Sequence, residues 1–338
     1  MQKRIIIHVN FSSGFGGGEV QTINLITGSL EYEHYVFAKN HSKFLKKSIE
    51  ANIKCLSFFK IIKLALSNKY VIFHAHDGRG AHIAQFLSFL TGKKYIITRR
   101  VDKPLKGTLS SLAYQRAFAI VGISGKVLDN IKKLNINNKV IYDSYSSFPS
   151  SCEDEKRLSK LDGDFFVTQV GSLIKIKNVL ATIEVAREIE KKNNRIHFII
   201  VGDGPEYSDL LKKSHGLKNI TFWGFTPNMT SIFEKTDLLI HPSLSEGLGS
   251  SILEAYQFNI PVITNNVGGI PEIVVNEKTG YIVPNADVSV MSEKIMYIFN
   301  RPDILSSMKG YISEYKENYS LEKMIKEYEI LYAEAYHF

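Results

Sequence analysis

His241-Pro-Ser-Leu-Ser-Glu246-Gly-Leu-Gly-Ser-Ser-Ile-Leu-Glu254-Ala255 is the stretch on which the reading of this 338-residue chain turns. An apolar run over 238–241 predicts a strand before it, and the spacing after Gly249 predicts that a helix opens there. Gly247 and Gly249 let a ligand approach the backbone closely. The N–H groups of the first helical turn, from Gly249 through Ser250 to Ile252, have no partner within the helix and form a cradle for a diphosphate. Glu254, inside the helix, can accept hydrogen bonds from ribose hydroxyls, while Glu246 at the loop entrance can hold sugar hydroxyls. Two glutamates with seven residues between them arise often by chance, so the spacing needs company.

The company lies at other strand ends. Short β-branched runs alternate with segments of helical periodicity, the pattern of parallel sheets with crossover helices. Strands are predicted over 5–9, 35–38, 71–75, 95–98 and 120–122. A second series falls over 165–170, 197–201, 220–223, 238–241, 262–264 and 281–283. Between the series, 142–160 is Ser-rich and charged without sustained periodicity, and reads as a linker. The length exceeds the roughly 250 to 300 residues at which one core stops growing. The fold class is therefore α/β, two doubly wound parallel sheets, with domains at 1–150 and 151–318 and a terminal helix over 319–338. Ligands of such sheets bind outside the carboxyl ends of the strands, where Gly202-Asp-Gly204-Pro205, Gly224-Phe225 and Asn266-Val-Gly-Gly-Ile-Pro-Glu272 are found.

Hydrophobic residues at 44% and charged residues at 22% exclude a disordered chain. The opening residues lack the apolar core of a signal peptide, and no run approaches the ~18 apolar residues needed to cross a bilayer. A cytoplasmic location is the expectation. Cys55 and Cys152 sit in no paired or metal-ligand spacing and are expected to be reduced. The charge is unevenly spread. Residues 1–150 hold 22 Lys/Arg against 8 Asp/Glu, a net +14, and the remainder is −6. The basic half either faces something anionic, a phosphorylated acceptor or the surface of an acidic membrane, or its lysines merely solvate helix faces. No nucleic-acid-binding signature accompanies the charge.

This array resembles retaining glycosyltransferase family 4, strongest over 167–284. The resemblance implies the GT-B fold of two facing Rossmann-like domains, with the terminal helix packing back toward the first. It implies a nucleoside diphosphate sugar donor, UDP- or GDP-linked, held mainly by the second domain, retention at the anomeric carbon, and no metal or other cofactor. Glu246 and Glu254 match the family's paired glutamates, with Gly247, Leu248, Gly249 and Ser250 between them. Gly202, Gly204 and Phe225 match loops near the base. Where the family carries Arg and, five residues later, Lys, this chain has Gly171-Ser172-Leu-Ile-Lys175-Ile-Lys177-Asn178. Lys177 is kept and Ser172 replaces Arg. Lys lacks the guanidinium fork but remains a point charge for phosphate. Lys175 either compensates or is a solvated loop charge.

In the first half, Gly14-Phe-Gly16-Gly17-Gly18-Glu19 follows the first strand. A dinucleotide fingerprint fails here: Glu19 stands where the third Gly belongs, and Lys39 and Asn40, not an acid, end the next strand. The loop resembles the family's Gly-Gly-x-Glu motif, which sets Gly17 beside the donor and Gly16, Gly18 and Glu19 toward the acceptor. His74 and His76 end the third strand. We read them as pointing to opposite faces, one of them toward the core, and without a third ligand to hold a metal; the match to family 4 implies that His76 faces the donor sugar and His74 the core. Arg99 and Arg100 end the fourth strand, either reaching an acceptor phosphate or pairing with Asp102 and nearby acids. Thr98-Arg99-Arg100 resembles a subset of family 4 enzymes of bacterial surface-polysaccharide assembly, implying a saccharide or lipid-linked saccharide acceptor. The expected reaction uses Lys177 and the helix start to neutralise a departing diphosphate, with His76 and Glu246 at the sugar. The rivals are a noncatalytic nucleotide-sugar-binding protein and a nucleotide-sugar epimerase of the same fold.

Overall fold

The structure, a computed structural model, describes residues 3–337. The chain forms two compact units. One comprises the residues up to Ser146 together with those from Tyr319 onward, and the other spans Ser147–Asn318.

The first unit runs β1 (Ile5–Asn10), α1 (Gly17–Gly28), β2 (Glu33–Ala38), α2 (Lys43–Glu50), α3 (Phe58–Ser67), β3 (Val71–Ala75), α4 (Gly78–Thr91), β4 (Tyr95–Arg99), α5 (Thr108–Gln115), β5 (Ala119–Gly122), α6 (Gly125–Asp129) and β6 (Asn138–Val140). Its six strands are parallel in the order β2-β1-β3-β4-β5-β6. Strand β1 is buried along its whole length because helices cover both faces. Alternation sorts its side chains: Ile5, Ile7 and Val9 join Ile61, Ala65, Ala84 and Leu87 of α3 and α4, whereas Ile6 faces the opposite way.

The second unit runs α7 (Cys152–Leu158), β7 (Phe165–Val170), α8 (Val179–Glu190), β8 (Ile196–Val201), α9 (Tyr207–Lys213), β9 (Ile220–Gly224), α10 (Met229–Lys235), β10 (Leu238–His241), α11 (Ser250–Gln257), β11 (Val262–Asn265), α12 (Ile270–Ile273), β12 (Gly280–Val283), α13 (Val288–Phe299) and α14 (Pro302–Tyr315). Its parallel sheet has the order β12-β11-β10-β7-β8-β9. The core joins Val167, Phe198, Ile240 and Ile263 to Val185 and Ile189 of α8 and Met291, Ile295 and Ile298 of α13.

Helix α15 (Leu321–His337) then closes the first unit. Met324, Tyr328, Leu331, Tyr332 and Ala335 recur at helical spacing and bury against Ile6, Ile72, Ile96 and Leu25. Each large side chain so buried stabilises the unit by about 1.5–3 kcal/mol. The tyrosines are polar at the tip, and the Tyr332 hydroxyl is satisfied by His74 Nδ1 at 2.7 Å.

Two sequence expectations need correction. The segment 142–160, read as a linker for its lack of sustained periodicity, holds the division between the units but also contains α7, whose Ser151 Oγ accepts from Asp154 N and whose first turn carries Glu153, Asp154 and Glu155. That cap and the acid-first charge order are helix signals that the Ser and Pro content concealed. Strand β6 was also missed. Its three residues are too few to show a period, and the sheet edge, not composition, defines them.

Candidate active site

In each sheet the strand order reverses once beside the first strand of the unit, at β1/β3 and at β7/β10. A crevice opens at such a switch point because the flanking loops leave in opposite directions. Gly16 to Glu19 and His76 follow β1 and β3, Ser172 to Lys177 and Glu246 to Ser250 follow β7 and β10, while Gly202, Gly204, Phe225 and Arg100 lie after β8, β9 and β4.

In the second unit Lys177 follows β7 and Glu246 follows β10. Lys177 Nζ donates to Glu246 Oε1 at 2.5 Å, and His241 Nε2 donates to the same oxygen at 2.9 Å. The buried His241 ring is fixed on its other side by Ser251 Oγ, 3.1 Å from Nδ1. The two loops are tied together: Leu244 N donates to Ile176 O at 2.7 Å and Asn178 Nδ2 to Pro242 O at 3.3 Å. Burial pushes the Glu246 carboxyl up, but the bond and charge of His241 and the charge and bond of Lys177 outweigh it and hold the group well below the usual carboxylate range. Glu246 is an anion. Glu254, on α11, is the opposite case. Burial raises its carboxyl to about 8, against a smaller downward pull from Lys177. At neutral pH one glutamate is charged and the other protonated, a pair set to different tasks by environment.

The glycines permit this approach. A Cβ on Gly268, which has φ +55, would lie 1.7 Å from Glu246 O, and one on Gly202 (φ +137) would lie 1.9 Å from Gly171 O. Gly249 adopts φ +103 at the start of α11, and no side chain caps that helix. Gly247, Gly249 and Ser250 therefore form the turn between Glu246 and the helix N-terminus. The Leu248 side chain is buried, so this residue can offer only its backbone. Gly204 packs its backbone against Leu173. Ser172 and Lys175 are exposed on the loop after β7, and Phe225 is exposed after β9. The sequence reading passed over His241, which is quoted in the decisive stretch yet given no role. Its position as the last residue of β10, five before Glu246, is the signal that marks it.

In the first unit Gly16 sits at the N-cap of α1, and Gly17 and Gly18 form its first turn. Glu19 folds back to accept from Gly16 N at 2.9 Å and from Ser12 Oγ at 2.7 Å. It stabilises the loop that the sequence reading aimed at the acceptor. Asp77 caps α4 and accepts from Phe11 N, joining the ends of β1 and β3.

His74 and His76 do not point to opposite faces. Residues two apart on a strand share a face, and their ring centroids lie 4.0 Å apart. The missing third histidine is His8 on β1, opposite His74 in the register. His8, His74 and His76 present nitrogens within 4.8 Å of one another. These nitrogens already have partners. His76 Nε2 meets His8 Nδ1 at 2.9 Å, His8 Nε2 meets His34 Nδ1 at 2.8 Å, and His74 is held between Tyr332 and Thr98. Arg100 Nη1, 3.4 Å from His76 Nδ1, is always a donor. It forces Nδ1 of His76 to accept, so His76 donates to His8 and His8 to His34. The three rings thus share one tautomer and one direction. Burial, followed by the neighbouring rings, pushes His8 and His76 well below the ordinary imidazole range; burial and the Arg100 charge do the same to His74. Neutral imidazoles suit a metal, but the adjacent Arg100 charge opposes a cation here.

Arg100 is itself buried against Asp143, 3.2 Å from Nε to Oδ2, and contacts Gly18. Arg99 turns into the core, where it donates to Tyr114 Oη and to Lys103 O, while Asp102 accepts from Asn130 instead. Arg100 thus remains with the site, and Arg99 has been taken up by packing.

A model of the family described as Glycosyl transferases group 1 matches residues 151–330. The chain is 22% identical over 251 residues to N-acetyl-alpha-D-glucosaminyl L-malate synthase of Bacillus anthracis, covering 70% of this chain and 65% of that one. It is 24% identical over 196 residues to the capsular polysaccharide biosynthesis glycosyltransferase CapM of Staphylococcus aureus, covering 56% and 48%. The matches thus span between about half and two thirds of those relatives' own lengths. In fold it is similar to Anabaena Alr3699/HepE, solved in complex with UDP, with a TM-score of 0.85, 16% identity, and coverage of 98% of this chain and 100% of that one. The two parallel sheets are those of the GT-B fold. Matched by the family model over more than half its length, the chain belongs to the group 1 glycosyltransferases and is a transferase enzyme.

Proposed function

We propose that this enzyme moves a hexose-type sugar from a nucleoside diphosphate donor, UDP- or GDP-linked, to a saccharide or lipid-linked saccharide acceptor, with retention at the anomeric carbon as in family 4. The observation that carries this reading is the Lys177–Glu246–His241 cluster straddling the β7/β10 switch point beside the uncapped start of α11. A diphosphate placed there meets backbone N–H groups and the ammonium of Lys177, which neutralise charge as the leaving group departs. Glu246, ionised and aimed by His241, accepts hydroxyl protons of the sugar. Glu254, protonated, can both donate to and accept from a ribose diol. No Arg stands at Ser172, so the phosphate charge falls on Lys177, with Lys175 nearby on the same turn.

We assign the donor to the second unit and the acceptor to the first, where Arg100 reaches both Gly18 and His76. The similarity to CapM, a capsular polysaccharide biosynthesis glycosyltransferase, supports an acceptor in polysaccharide synthesis, and the basic first half supports contact with an anionic membrane on its cytoplasmic side. Incubation with a panel of UDP- and GDP-sugars, reading nucleoside diphosphate release, tests the donor assignment. A positive donor whose turnover is unchanged in Glu246→Ala would refute it, and NMR of the product's anomeric proton tests retention.

A further inference from the structure

We propose that the α3–α4 face of the first unit is the surface by which this enzyme lies on an anionic bilayer. The proposal rests on the membrane contact suggested above and assigns it to particular side chains.

Helices α3 and α4 bury one side against β1 and β3. Their outer sides carry large apolar side chains among the basic ones. Phe59 is 83% exposed and Leu66 64%, while Phe86 and Phe89 on α4 are 52% and 80% exposed. Phe59, Lys63 and Leu66 stand at i, i+4 and i+7, one stripe of α3. Phe86 and Phe89 form the matching stripe of α4. The two are continuous: the Phe58 ring lies 5.8 Å from Phe59 and stacks on Phe86 at 6.4 Å. An aromatic ridge so exposed costs free energy in water unless something covers it.

The charge says what covers it. Residues 51–101 carry nine basic side chains and one acid, Asp77, which is occupied in capping α4. Lys60 and Lys63 of α3 are exposed and, among the described residues, in no ion pair. A second copy of the same face would set lysine against lysine, so self-association is disfavoured by the charge that suits anionic headgroups. Aromatic rings entering the headgroup boundary, with lysines reaching the phosphates beside them, use both features together.

Flotation of the full chain with phosphatidylcholine vesicles, with and without one-third phosphatidylglycerol, tests the assignment. The wild type floats with the anionic vesicles only and is released by salt. Phe59→Ser with Phe89→Ser, and separately Lys60→Glu with Lys63→Glu, lower partitioning at least about tenfold while leaving the melting temperature and its shift by UDP unchanged. If the wild type floats and both variants float equally, the surface is elsewhere and membrane contact stands. If the wild type does not float, membrane contact itself is wrong. Equal binding to neutral vesicles overturns the charge argument, and a wild-type dimer that the variants make monomeric assigns the ridge to a second copy.

Discussion

Lys177 Nζ and His241 Nε2 converge on a single oxygen of Glu246, 2.5 and 2.9 Å away, so a loop after β7 and a loop after β10 share one carboxylate. Removing Glu246 releases both partners, and removing either partner leaves the carboxylate held by one bond instead of two. Lys177→Ala, Glu246→Gln and His241→Asn are each expected to lower kcat/KM for sugar transfer by roughly 10²–10³-fold. Pairs of these changes should cost much less than the product of the single effects, because the residues act as one unit. Steady-state kinetics over the full double-mutant cycle measures the coupling. Simple multiplicativity would show three independent residues.

Glu254 has a folded pKa near 8 against an ordinary 4.5, raised by burial. A raised carboxyl contributes stability that is fully present below its unfolded pKa and is lost as pH rises through the folded one. The melting temperature of the wild type relative to Glu254→Gln is therefore expected to decline from about pH 4.5 to about pH 8 and then level off. Thermal scans of both proteins across that range check the sign.

The buried histidines give the opposite limb. His8, His74 and His76 are held well below 6.5 and His34 is lowered to about 4, burial being the largest cause for each. For depressed imidazoles the stability is complete above the unfolded pKa and is lost as pH falls toward the folded one. The first unit should weaken below pH 6.5 by ~1.4 kcal/mol per pH unit for each proton the unfolded chain takes up in excess. His8→Leu removes one proton from that slope and leaves His76 without its acceptor. Since the one tryptophan, Trp223, lies in the second unit, amide exchange in β1 and β3 is the suitable probe.

Helix α15 supplies part of the first core. Leu331→Ala is expected to cost about 2–5 kcal/mol, and Tyr332→Phe about 1–3 kcal/mol, because His74 Nδ1 then loses its bonding partner. Both losses should appear in exchange of the first sheet and leave Trp223 fluorescence unfolding unchanged.

Much of this was legible in residue order. Alternating β-branched runs place eleven of the twelve strands, because a strand buried on both faces must be apolar throughout. The paired glutamates, Lys177 and the Gly loops are found by their positions at strand ends. The histidine cluster is harder to read, because His8 and His34 come from strands paired on sheet neighbours and only the register brings them to His76. The error over His74 and His76 was one of parity on a strand. Arg99 and Arg100 are adjacent and alike in sequence, yet alternation sends one into the core with Tyr114 and leaves the other beside His76.

Because α15 belongs to the unit that β1 begins, the second unit is in effect an insertion into the first. During synthesis β1 to β6 are made first, yet the covering for Ile6, Ile72 and Ile96 is supplied only by α15, beyond residues 147–318. The order of completion is thus inverted relative to the order of translation: the first-made unit waits for α15, which is made only after the whole of the second.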